Sequence, residues 1–162
     1  MYIRNIEVIN FRLLKGVSLS LEQEPTVIVG RNNSGKTSLT EVFRRLLSDK
    51  NPSFSLEDFS INSIAGFKRA LAKKLEGAEE DDIRAEVPTI EIKITIAYDI
   101  TSTNLGPLSE FIIDLDPSSA EAVILIKYKL GNGKIEDLFA GCTDASDPAF
   151  PSMIKQVKER IP

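Results

Sequence analysis

The stretch TVIVGRNNSGKTSL, residues 26–39, constrains this chain more than any other. Gly30, Arg31, Asn32, Asn33, Ser34, Gly35, Lys36 and Thr37 fit the pattern G-x-x-x-x-G-K-[ST] without a mismatch. The chemistry explains the spacing. A loop that wraps an anion must turn its backbone N–H groups inward. Gly30 and Gly35 permit the backbone angles and close approach that a Cβ forbids. A helix opening at Gly35 aims its free N–H groups and its positive end at the anion. Lys36 is placed to reach the β- and γ-phosphates of a nucleoside triphosphate, and the Thr37 hydroxyl to bind Mg²⁺. Ser38 closes the motif.

The flanks supply the context that the motif requires. Residues 26–29 form a short apolar run, which reads as a fully buried strand. After Gly35 the period changes: Leu39, Val42, Phe43, Leu46 and Leu47 fall on one face of a helix, which Asn51-Pro52 ends. Upstream, residues 2–9 carry β-formers with partial alternation, and Val17, Leu19 and Leu21 alternate with serines, giving two strands.

Downstream, Ile61, Ile64, Phe67, Leu71 and Leu75 have helical spacing, with Lys68, Arg69, Lys73 and Lys74 on the outer side. Glu76 to Glu86 holds six acids in eleven residues and reads as a solvated acidic loop over about 76–88. The β-rich part, about 89–138, opens with Ile90, Ile92, Ile94, Ile96 and Tyr98 alternating without a break. A second apolar strand covers 122–130. Gly131-Asn132-Gly133 then predicts a hairpin to a partner strand at 134–138. Pro148 and Pro151 bracket a turn before a helix beginning near Met153. The whole, residues 1–162, is expected to form a single α/β lobe with a mixed or antiparallel sheet wrapped on the loop helix.

Composition narrows the function. The chain of 162 residues has no histidine, which removes histidine general bases, catalytic triads and histidine metal sites. The lone Cys142 allows no internal disulfide, and a reduced, cytoplasmic setting is expected. No apolar run is long enough to span a membrane. A net charge of −4 argues against a main nucleic-acid surface in this segment, because such surfaces neutralise phosphates. The guanine-reading N-K-x-D and switch D-x-x-G strings of small GTPases are absent from the sequence. Beyond Arg69 only Arg84 and Arg160 are arginines, too few for the lid of a small-molecule kinase.

The segment IRNIEVINFRLLKGVSLSLEQEPTVIVGRNNSGKTSLTEVFRRLL resembles the opening of the SMC, RecF and OLD (overcoming lysogenisation defect) ATPases, of the ABC-type P-loop group. The likeness lies in an N-terminal strand ending in NFR, a second strand, and a loop of the form G-x-N-x-S-G-K-[ST]. SFSLEDFS followed by the long strand at 90–98 is similar to the OLD-type nucleases, and no coiled-coil heptads begin here. The resemblance implies ATP and Mg²⁺ as cofactors, with Arg12 either near the nucleotide or in a surface ion pair. It also implies an OLD-type ATP-dependent endonuclease with a Toprim nuclease domain, DNA as substrate, and homo-oligomers formed through ATPase domains. A DNA-repair ATPase of RecF or SMC type, or a non-catalytic nucleotide-binding module, is the alternative.

No residue reads convincingly as catalytic. There is no L-S-G-G-Q-like signature. Asp114 in EFIIDLDP has Leu115 where a second acid is required, and Asp99 ending ITIAYD is no stronger as an Mg²⁺ ligand. Gln23 and Gln156 read as solvated side chains. The expectation is therefore an incomplete N-terminal lobe: a truncated, proteolysed or split piece whose C-terminal remainder completes the ATPase.

Overall fold

The computed structural model describes residues 1–48, 54–99, 101 and 120–156. Two strands open the chain, β1 (Tyr2–Phe11) and β2 (Leu14–Ser20). They pair antiparallel around a tight turn, with Val8 opposite Val17 and Phe11 opposite Leu14. Strands β3 (Ile90–Ala97) and β4 (Glu121–Tyr128) extend the sheet, all antiparallel, in the order β2-β1-β3-β4. The unbroken alternation of β3 explains its place inside the sheet. Ile90 and Ile92 face the core while Glu91 and Lys93 take the other side, where they pair with Lys127 and Glu7.

Helix α1 (Lys36–Ser48) lays Leu39 and Val42 on Ile6, Val8, Phe11, Ile90 and Ile92. This is one of two cores. The other joins α2 (Ile64–Leu75), α3 (Glu80–Glu86), α4 (Ile135–Leu138) and α5 (Phe150–Gln156) around Phe67, Leu71, Leu138, Phe139 and Phe150. Phe59, between two short 3-10 turns at Leu56–Asp58 and Ile61–Ser63, packs against both cores. The architecture is thus α/β with a four-stranded antiparallel sheet on the loop helix.

Several expectations are corrected. The run at 26–29 is not a buried strand. It pairs with none of the described strands, and Val27 and Val29 stand 80% and 85% exposed. An apolar run becomes a strand only by pairing with another, and among the described residues β2 pairs with β1 alone. Residues 80–86 are helix rather than acidic loop. Glu80, Asp81 and Asp82 sit in its first turn, where the helix dipole favours them, and Ile83 is buried. Residues 135–138 are helix rather than a hairpin partner, because Ile135 and Leu138, three apart, both reach the second core. Leu47, Ile61 and Leu75 prove exposed, at the ends of their apolar stripes. The last helix begins at Phe150, three residues ahead of Met153, and takes Pro151 into its first turn, where no N–H is needed.

Gly66 shows how closely α2 meets the chain entering β3. A Cβ there would lie 2.6 Å from Pro88 Cγ and 3.0 Å from the Glu86 carbonyl oxygen. Alanine would gain helix propensity, about 1 kcal/mol, but the overpacking costs typically 1–3 kcal/mol. Gly66→Ala is therefore expected to lower the thermal midpoint by a few degrees. A midpoint at or above that of the parent in a thermal melt would contradict this contact.

Candidate phosphate-binding site

The loop is built by a turn in the backbone and by the start of α1. Asn33 and Gly35 take φ of 64° and 91°. At Gly35 the requirement is double. The left-handed angle disfavours a side chain, and a Cβ would come within 2.9 Å of Leu14 Cδ2 and 3.7 Å of Leu13 Cβ. The helix then closes its first bond, the Leu39 amide donating to the Gly35 carbonyl at 2.9 Å. The amides of Lys36, Thr37 and Ser38 precede that bond and are free by the geometry of a helix start. No acid stands in the first turn of α1, so its positive end is not neutralised from within.

Leu13 and residues 32–37 line a cavity of about 220 Å³ at this helix start. The structure thus brings Asn32, Asn33, Ser34, Gly35, Lys36 and Thr37 together around one space. Lys36 Nζ donates to the carbonyls of Gly30 and Arg31, both at 2.6 Å, and approaches Ser34 Oγ at 3.4 Å. Gly30 and Arg31 therefore meet the site through backbone oxygens, while the Arg31 residue as a whole is exposed. Thr37 is exposed at the mouth, and Ser38 is buried below it. A cationic lysine, a bare helix start and an open hydroxyl fit a phosphate chain with a divalent ion. The carboxylates named in the sequence do not join them. Asp99 lies beyond β3 and accepts from the Thr101 amide and hydroxyl, which lowers its pKa. Gln23 is exposed, Asp114 lies outside the described residues, and so does the side chain of Gln156.

Arg12 is held by Asp58. Its Nε donates to Asp58 Oδ1 at 2.9 Å, and its Nη2 lies at the same distance. Asp58 was not legible as a site residue. Its carboxylate is buried and also takes Arg45 of α1, with Nη1 at 2.7 Å from Oδ2 and Nη2 at 3.1 Å from Oδ1. The Ser55 amide and hydroxyl add bonds to Oδ2 at 2.9 and 3.2 Å. Burial pushes the Asp58 carboxyl up, but hydrogen bonds from Arg45, the Ser55 amide and Arg12 outweigh it and leave the pKa lowered. Glu41, hydrogen-bonded by Arg44 and then Arg45, is brought down to about 2. The two guanidiniums also lie over aromatic faces, Arg12 over Phe11 at 5.2 Å and Arg45 over Phe54 at 5.3 Å. The one local signal in the sequence was Ser55-x-x-Asp58, the spacing of a helix-capping pair. It does not announce the arginines.

Among the described residues no helix is long and apolar enough to cross a membrane. A comparison with curated proteins returns no match. The family model that matches, over residues 1–156, is described as an AAA ATPase domain.

Proposed function

The chain belongs to the AAA ATPase domain family; on that basis we propose that residues 30–38 bind ATP with Mg²⁺, and from the sequence resemblance that this lobe powers or gates a DNA nuclease of the OLD type. The observation that carries the nucleotide reading is the Lys36 ammonium, poised on two loop carbonyls above the bare start of α1. In this reading the free amides of α1 and the Lys36 ammonium take the phosphates, and the Thr37 hydroxyl holds Mg²⁺. Asn32 and Asn33 order the loop. The metal, when bound, neutralises charge that builds up on the phosphates. The protein's own share is electrostatic positioning, as in other phosphoryl transfers.

Hydrolysis needs more than this cavity. Among the described residues its lining, Leu13 and residues 32–37, contains no carboxylate to orient a water. We assign that task to a C-terminal remainder of the ATPase and to a second subunit, whose approach closes the site. The nuclease assignment, a Toprim domain acting on DNA, rests on the resemblance of the first fifty residues and of SFSLEDFS.

Titration calorimetry of this chain with ATP tests the reading. The expected result is saturable binding with Mg²⁺ that weakens on adding EDTA, with no sustained phosphate release. Absence of saturable binding refutes the site, and sustained turnover by the 162-residue chain refutes the division of labour.

A further inference from the structure

The turn between β1 and β2 is more than a connection. It is a wall of the loop cavity, since Leu13 lines that space and Leu13 and Leu14 press on Gly35. The backbone is strained in the turn and just before it: Arg12 and, near the end of β1, Asn10 take φ of 48° and 61°, angles uncommon for residues with a side chain. Such a turn persists only if its surroundings hold it. The Arg12 amide donates to the Asp58 carbonyl at 2.7 Å, and the Ser60 amide to the Asn10 carbonyl at 2.9 Å. Asn10 Nδ2 adds a bond to the Thr89 carbonyl at 3.0 Å. The Asp58 carboxylate meanwhile holds the side chains of Arg12 and Arg45 together.

Arg12 belongs to the wall. Arg45 belongs to α1, whose first turn carries Lys36 and Thr37. One buried carboxylate therefore ties the wall of the cavity to the helix that forms its floor. We propose that Asp58 is a positioning residue of the nucleotide site, setting the distance between the Leu13 turn and the start of α1 by holding Arg12 and Arg45 at once. The proposal rests on the nucleotide reading above and deepens it. Asp58 does not line the cavity, so it acts through the two arginines.

Asp58→Asn keeps the side-chain shape and removes the charge that holds both guanidiniums. Two measurements follow, made at a temperature where circular dichroism shows each variant folded. Amide hydrogen exchange, without nucleotide, should speed up at Leu13, Leu14 and residues 35–38 together, while β3 and β4 keep their protection. The Kd for ATP with Mg²⁺ should rise about tenfold, the scale of one lost charge-assisted hydrogen bond. Glu41→Gln is the control. It removes a second carboxylate partner of Arg45 without touching the turn, and its affinity should stay within about twofold of the parent.

Should Asp58→Asn fail to fold, Arg45→Met serves in its place. It cuts the helix arm alone and keeps an aliphatic chain over Phe54. A folded variant whose turn and helix start keep parental exchange overturns the proposal, as does one that binds ATP with parental affinity. Equal weakening by Glu41→Gln overturns it too, because loss of general stability would then suffice. A parent chain with no measurable ATP affinity sinks the nucleotide reading and this role with it. Parental affinity in a folded variant beside a binding parent sinks this role alone.

Discussion

Lys36→Ala is expected to remove measurable ATP binding and to leave the fold intact. Lys36 already spends its donors on the Gly30 and Arg31 carbonyls at the mouth of the cavity. In the proposed complex phosphate oxygens would take the same ammonium, because a bond between two charged groups is shorter and stronger than one to a neutral carbonyl. Hydrogen bonds to charged groups contribute about 1.5–3 kcal/mol each. Loss of two such bonds is a weakening of a hundredfold or more. Stability should scarcely change. Gly30 and Arg31 are exposed, so water takes over their carbonyls when the ammonium is gone. Calorimetry and a thermal melt on the same sample check both halves. Affinity within about threefold of the parent removes Lys36 from the site, and a fall in midpoint of more than a few degrees shows the lysine bracing the loop.

Asp58→Ala has the largest expected effect on stability. The Asp58 side chain is 3% exposed and holds two guanidiniums, with side-chain exposures of 38% for Arg12 and 13% for Arg45. Removing one partner of a buried pair costs about 3–5 kcal/mol, chiefly because a charge is left without compensation. Here the figure falls toward the low end. Arg12 can turn to water, and Arg45 keeps Glu41. A loss of about 3 kcal/mol is a large share of the 5–15 kcal/mol that holds a domain together, and lowers the midpoint by roughly 6–12 °C.

The same pair sets an acid limit. The pKa of Asp58 is lowered in the folded state, so its contribution is full above the ordinary value of 3.8 and is lost as pH falls through the folded value. The difference in midpoint between parent and Asp58→Ala should therefore be constant from pH 7 to about 5 and shrink below about 4. A difference that holds steady down to pH 3 would mean that the carboxylate is not what the arginines require.

Much of the fold was readable because local pattern and final burial agree. The alternation from Ile90 to Ile96 can serve only a strand, and the spacing of Leu39, Val42 and Phe43 only a helix. The phosphate loop was readable for a stronger reason. Its chemistry is local, and every residue that lines the cavity except Leu13 lies within six consecutive positions. The errors arose where a distant partner decides the outcome. Residues 80–86 looked like solvated loop because the six acids of 76–86 outweigh one isoleucine in any compositional count. Burial of Ile83, and the Arg84 guanidinium donating to the Leu130 and Gly131 carbonyls, made them helix. Residues 135–138 follow the same rule, with the second core choosing helix over strand.

By itself, then, the sequence determined a phosphate-binding loop opening a helix, preceded by two strands, because those features depend on neighbours a few residues apart. It could not determine that residues 26–29 stay outside the described sheet, or that Asp58 joins Arg12 to Arg45. Those depend on which segments meet across 46 and 13 positions of chain. Only the packing of the sheet, α1 and the 55–60 segment against one another selects such contacts.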